Sequence, residues 1–194
     1  MDKYEGYKII LQERLSEKRY KHSLNVADTA AKLAIVHNMD ADKAYLAGLM
    51  HDYAKNLSGD ELLEIAQKND LLNDDVEILA PHVLHGPVGA YLLKKENIVT
   101  DEEVLQAISL HTIGSEYMTP FDALVYIADY IEPGRNFGNV DNIRAIAYKN
   151  LEFAFVSCLE SVIAYLLSVG GYIHPAAIKA RNAAISRINT RNSN

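Results

Sequence analysis

Apolar residues recur at spacings of three and four along almost the whole chain, and no stretch shows the strict alternation of a half-buried strand. A chain patterned this way hides its apolar stripes by packing helix against helix. The first helix is expected over about Tyr4 to Leu15. Ser16 then caps a second, on which Tyr20, Leu24, Ala27, Ala31 and Ala34 form one row and Val26 and Leu33 another. Rows on two faces mark a central, buried helix. Asp40 opens a third helix, which ends at His51-Asp52. Ser58-x-x-Glu61 and Thr100-x-x-Glu103 read as capping boxes, and the helix after Thr100 carries the stripe Val104, Ala107, Ile108, His111. Gly86-Pro87 starts the helix bearing Val88, Leu92 and Leu93, and Pro120 fits the first turn of one over Phe121 to Ile131. A long apolar helix, Leu151 to Val169, stops at Gly170-Gly171, and Pro175 starts a last one reaching about Ile188. The fold class is therefore all-α, a helical bundle. No repeat, low-complexity tract or Pro/Gly/Ser linker divides residues 1–194, which read as a single domain.

The net charge of −7 argues against a nucleic-acid partner, which would favour a basic stripe. A small anionic substrate remains open, because a bound cation and a few Arg or Lys can reverse the local sign. Cys158 is the only cysteine, so no intrachain disulfide forms; within Phe153-Ala-Phe-Val-Ser-Cys-Leu it reads as a packing residue rather than a nucleophile. The N-terminus does not read as a signal peptide, and no apolar run is expected to reach the roughly 18 residues of a membrane span. These features point to the cytoplasm and to no membrane partner.

Chemistry is concentrated in a few residues. His51-Asp52 at a helix end offers an imidazole nitrogen and a carboxylate oxygen to one metal ion. The dipeptide alone is weak, but His22 stands on the preceding buried helix, and Asp129 lies inside the apolar run Leu124-Val-Tyr-Ile-Ala-Asp129-Tyr-Ile. A carboxylate buried among Val125, Ile127, Ala128 and Ile131 needs a cation or strong donors. A salt bridge to Arg or Lys is the structural alternative for Asp129, and a hydrogen-bonded core histidine the alternative for His22. His85 and His111 could ligate a second metal, donate to phosphate oxygens, or cap and pack. His37 and His82 read as surface residues. Lys18, Arg19 and Lys21 flank His22, Lys55 follows His51 by one turn, and Arg135 follows Asp129. Three segments that each set a cation beside a ligand suggest an anionic substrate over the metal, and Arg135 could fork onto phosphate oxygens.

The order His…His-Asp…Asp resembles that of the HD-domain phosphohydrolases, an all-helical superfamily. More closely, the chain resembles the YqeK family of HD-domain diadenosine tetraphosphatases. The resemblance rests on Arg19-Tyr-Lys-His22-Ser, His51-Asp-Tyr-Ala-Lys55, His85-Gly-Pro-Val-Gly-Ala-Tyr91, His111-Thr-Ile-Gly114 and Tyr126-Ile-Ala-Asp-Tyr-Ile-Glu-Pro-Gly-Arg135. These segments span residues 19–135; the C-terminal helices, 151–188, match only in general character. The resemblance implies symmetrical cleavage of diadenosine tetraphosphate into two ADP, with a divalent metal, iron first and Mn, Zn, Co or Mg as alternatives, held by His22, His51, Asp52 and Asp129. It implies a substrate site of Arg19, Asp52, Tyr53, Ala54, Lys55, His85, His111, Thr112, Asp129 and Arg135, with Asp52, His85 and His111 taking part in catalysis. Tyr172, Ile173, His174 and Pro175 are expected to close over the nucleotide, and a homodimer is expected. Other HD activities compete, as does a non-catalytic nucleotide-binding protein. A cyclic-dinucleotide phosphodiesterase is disfavoured, since its Gly-Tyr-Pro element is here Gly171-Tyr172-Ile173.

Overall fold

The computed structural model describes residues 3–192 and, among the described residues, contains helices and no strand. In chain order the helices are α1 (Glu5–Arg14), α2 (Glu17–Val36), α3 (Ala41–Met50), α4 (Gly59–Lys68), α5 (Val76–Leu79), α6 (His85–Lys95), α7 (Glu102–Leu110), α8 (Pro120–Ile131), α9 (Val140–Ala147), α10 (Leu151–Val169) and α11 (Pro175–Asn192), with a 3₁₀ turn, Pro81–Leu84, leading into α6. The all-α expectation holds. The short elements α5, α9 and the 3₁₀ turn were not foreseen, because eight residues or fewer hold too few turns to show a period.

Local chemistry sets most of the helix starts. The Ser16 hydroxyl accepts from the Arg19 N–H, and the Asp40 carboxylate accepts from Asp42 and Lys43. Ser58 and Glu61 form the expected reciprocal box. The Thr100 box is corrected: Asp101 is the cap, its carboxylate already accepting from the first free N–H groups, those of Glu103 and Val104. A box that sequence reading missed, Thr119 with Asp122, starts α8 with Pro120 in its first turn. Gly170 ends α10 in the left-handed conformation, at φ 66°.

Helices α2, α3 and α8 make the centre. Helix α2 lies chiefly against α3 and also against α8, while α7 bridges α6 and α8, and α10 packs on α8, α9 and α11. The α2–α3 crossing is close because Gly48 has no side chain: a Cβ there would meet Ala27 Cα at 2.9 Å and Val26 C at 3.0 Å, both backbone atoms that cannot swing aside. Gly48→Ala is therefore expected to destabilise the protein by about 1–3 kcal/mol. Urea unfolding would show this as a lower midpoint. An unchanged midpoint would mean the helices part freely.

One expectation about α10 needs correcting. At 19 residues and a mean hydropathy of 1.6 over its most apolar window, it is long and apolar enough to cross a membrane by length and composition. Glu152 and Glu160 break the apolar run in the sequence, but the helix continues through both. Its N-terminal half, with Phe155, Cys158 and Leu159, packs into the main core, while Tyr165, Leu167 and Val169 of its C-terminal half are exposed. Burial pushes the Cys158 thiol pKa far up, in keeping with a packing role.

Candidate metal centre

Five chain segments converge on one point. His22 comes from α2, His51 and Asp52 from the end of α3, His85 from the first position of α6, His111 from the residue after α7, and Asp129 from the last turns of α8. The four imidazoles are held alike. His51 Nδ1 lies 2.7 Å from the Gly48 carbonyl, His85 Nδ1 2.7 Å from that of His82, and His111 Nδ1 2.6 Å from that of Ile108. His22 Nδ1 lies 3.0 Å from Glu132 Oε1. A carbonyl or carboxylate oxygen only accepts, so each Nδ1 carries the hydrogen and each Nε2 is left with a lone pair. Three of these bonds reach back three residues to a carbonyl at a helix end, which fixes the ring directly.

The lone pairs face each other and two carboxylates. Asp129 Oδ1 lies 3.0 Å from His22 Nε2 and 3.9 Å from His51 Nε2. Asp52 Oδ2 lies 3.4 Å from His51 Nε2 and 3.8 Å from His22 Nε2, while its Oδ1 lies 3.3 Å from His85 Nε2. His85 Nε2 and His111 Nε2 are 3.1 Å apart, with the Thr112 hydroxyl 3.2 and 3.3 Å from them. Lone pairs set against one another repel unless a positive charge lies among them. The buried Nε2 atoms of His22 and His51 make no hydrogen bond, and orphaned acceptors of this kind are what a cation satisfies. Ligand atoms of His22, His51 and Asp129 lie within 4.8 Å of one another, as do those of His51, Asp52 and His111. Metal–ligand bonds of about 2.0–2.2 Å need such a spacing, so the donor set fits a divalent ion.

Titration runs the same way. Burial disfavours the Asp129 carboxylate, but the neighbouring His22, His51 and Arg135 outweigh it and hold its pKa well below the usual range. Burial likewise opposes ionisation of Asp52, where His51 and His85 prevail. His51 is raised despite complete burial, through Asp52 and Asp129, so the cluster draws positive charge, as proton or as metal. His111 is pushed down to about 3 by burial and by His51 and His85. A neutral His111 with its hydrogen on Nδ1 offers Nε2 as an acceptor. In that form it suits a cation or a water.

A cavity of about 820 Å³ opens beside the cluster, lined by Arg19, Asp52, Lys55, His85, His111, Thr112, Asp129 and Arg135 among the expected residues. Asp129 keeps 23% of its side chain exposed because it faces this space. Its salt-bridge alternative is realised as well: Arg135 Nη2 donates to Oδ1 at 2.7 Å, and Arg135 Nε to the Asp129 carbonyl at 3.1 Å. Arg19 Nη1 donates to Asp52 Oδ2 at 3.0 Å, and Lys55 Nζ lies 3.2 Å from His85 Nε2. Burial, then Arg19 and Arg135, lower the Lys55 pKa against Asp52 and Asp129.

Some expected side chains are placed elsewhere. Tyr53 is buried with its hydroxyl on Glu96 at 2.6 Å and the Arg14 guanidinium over its ring, and Ala54 sits in a small separate core with Leu62 and Val88. Their side chains do not line the cavity: burial of the one ring and the one methyl turns both inward. Residues 172–175 do not line it either. Tyr172 is exposed, while His174 is buried, with Nε2 3.4 Å from Glu77 Oε1 and Nδ1 accepting the Ala176 N–H, so this turn is fastened to α5. Of the two histidines read as surface residues, His82 is exposed, but half-buried His37 bonds the Ala147 carbonyl through Nε2 at 2.7 Å.

Sequence reading missed Glu132, which is buried and receives His22 Nδ1, Asn25 Nδ2 at 2.9 Å and the Gly134 N–H at 2.5 Å. Its signal was an acid at the end of an apolar helix, one turn after Asp129. Arg144 was missed too; it donates to the carbonyls of Ile131, Glu132 and Arg135 at 2.7, 2.8 and 2.6 Å and pins the loop that carries Arg135.

Against this geometry, residues 19–134 match the family model for the HD domain. The chain belongs to the HD domain family. The matched stretch contains every histidine and aspartate of the cluster, and HD domain proteins are metal-dependent. Among related HD proteins is the symmetrical bis(5'-nucleosyl)-tetraphosphatase of Staphylococcus aureus, 45% identical over 74% of this chain and 74% of its own length. The enzyme of the same name from Halalkalibacterium halodurans is 36% identical over 89% of this chain and 92% of its own. The crystal structure of a "predicted HD superfamily hydrolase involved in NAD metabolism" from Clostridium acetobutylicum superposes with a TM-score of 0.91 at 43% identity, covering 96% of this chain and 99% of that one.

Proposed function

We propose that this chain is a symmetrical bis(5'-nucleosyl)-tetraphosphatase, hydrolysing diadenosine tetraphosphate to two ADP, with iron as its resident metal. The observation that carries the reading is the cluster of orphaned imidazole nitrogens and ionised carboxylates opening into a cavity with Arg19, Lys55 and Arg135. Relatives of that name at 45% and 36% identity support it.

His22, His51, Asp52 and Asp129 would hold the metal, and the facing lone pairs of His85 and His111 suit a second cation. A divalent ion there supplies Lewis acidity, polarising a phosphoryl oxygen and making water a nucleophile near neutral pH. Arg135 and Arg19 meet the phosphate charge, and Lys55 adds a third donor whose lowered pKa eases proton transfer. Asp52, bound by Arg19 on one oxygen, turns the other towards His85 and would orient the attacking water from that side. Water adds to a central phosphorus, the bond from that phosphorus to the middle bridging oxygen breaks, and both halves leave as ADP. The proposal extends to a homodimer, which light scattering of the purified protein tests, and to a cytoplasmic location.

Metal-loaded protein and diadenosine tetraphosphate are expected to give ADP alone at early times. AMP with ATP would mean attack at an outer phosphorus and would end the symmetrical assignment. No turnover with any divalent metal would end the hydrolase reading. Arg135→Ala is expected to slow turnover about tenfold, the scale of one charged hydrogen bond, with metal content unchanged. Loss of metal in that variant would make Arg135 a support for Asp129 instead of a phosphate ligand.

A further inference from the structure

The cavity extends past what phosphate chemistry uses. Beyond Asp129 and Arg135 its wall is made by Tyr130 of α8, Phe137 of the following loop, and Ser161, Val162 and Tyr165 of α10. Phe137 is 42% exposed and Tyr165 64%, although both carry large rings that line a concavity. Two of the rings also support each other. Tyr130 and Phe137 meet edge to face, centroids 5.1 Å apart at 84°, and the backbone before Phe137 is pinned by Arg144. A site that only neutralised phosphate would have no use for this wall.

We propose that this wall is a nucleobase subsite, in which Phe137 and Tyr165 stack on a purine of one half of the substrate while Arg135 takes the phosphates of the same half. The inference rests on the reading of the site as a nucleotide hydrolase. Arg135 and Phe137 are two residues apart, so their backbones are separated by at most about 7 Å, the scale of a single nucleotide. Stacking accepts any base, but the two-ring purine covers more of the exposed aromatic surface than a pyrimidine does. The Ser161 hydroxyl and Asn139 amide stand in the same wall and can meet the polar edge of the base.

The test is calorimetric titration of metal-loaded protein with ADP, CDP and inorganic pyrophosphate. Wild type is expected to bind ADP more tightly than CDP, and CDP more tightly than pyrophosphate. Phe137→Ala and Tyr165→Ala should each weaken ADP about tenfold, the value of one stacked ring, and leave pyrophosphate binding unchanged. Phe137→Tyr should keep the affinity, which separates loss of the ring from disturbance of the loop. Unaltered ADP affinity in both alanine variants would overturn the subsite, and so would equal losses for ADP and pyrophosphate. If hydrolysis of diadenosine tetraphosphate persists in such a case, the hydrolase reading stands without the subsite. Wild type that binds neither ADP nor pyrophosphate would bring down both.

Discussion

Asp129→Ala is expected to lose the metal and the activity together, with turnover falling by about a thousandfold or more, the upper range for removing one stabiliser of transition-state charge. Asp129 Oδ1 is the atom shared by His22, His51 and Arg135. Taking it away leaves the two histidine nitrogens with one carboxylate, Asp52, in place of two to draw a cation to them. Stability without metal should change little, because Arg135 is about a third exposed and can turn to solvent. The stabilisation that added metal confers on wild type should vanish, since it scales with occupancy of the folded site. Metal analysis and thermal melting with and without metal would separate the two roles of this residue. If the variant keeps its metal and its turnover, Asp129 is only an ion-pair partner of Arg135.

What the sequence made legible follows from how far each signal reaches along the chain. The long helices were visible because α2, α8 and α10 each repeat their apolar rows over several turns, and Ser16, Asp40 and Gly170 mark their ends. The residues of the cluster were visible because a charged or titratable group inside an apolar run is costly and so informative, as with Asp129 between Ala128 and Tyr130. The convergence of five segments, however, was suggested by a family resemblance and not by spacing: nothing in the chain says that α2 and α8 lie side by side. The tautomers of the four histidines depend on carbonyls three residues back and on Glu132, which only coordinates supply. The aromatic wall was illegible for a related reason. Tyr130, Phe137 and Tyr165 look like scattered core residues until the packing of α10 on α8 brings them into one cavity.

Glu132 is the residue whose role the geometry most changes, and its removal has the second large expected effect. Its carboxylate is nearly fully buried and held ionised against that burial by the Gly134 N–H, His22 and Asn25. One oxygen receives His22 Nδ1, while the other receives the amides of Asn25 and Gly134. The carboxylate thus fixes the His22 tautomer, makes its Nε2 a better electron donor, and ties α2 to the loop that carries Arg135. Glu132→Ala is expected to weaken metal binding about 10–100-fold, as removal of such an outer carboxylate does. It should also lower stability by about 1–3 kcal/mol for each donor left buried without a partner. Glu132→Gln should recover only part of the affinity. Its single carbonyl can serve His22, but its NH₂ would then face the Asn25 and Gly134 donors. The measurement is competition for metal against a chelator, followed by kcat at saturating metal, where much of the lost activity should return because Glu132 touches neither substrate nor reacting atoms. Unchanged metal affinity with lowered stability would leave Glu132 as a staple of the loop and nothing more. A kcat that stays low at saturating metal would place it in the reaction itself.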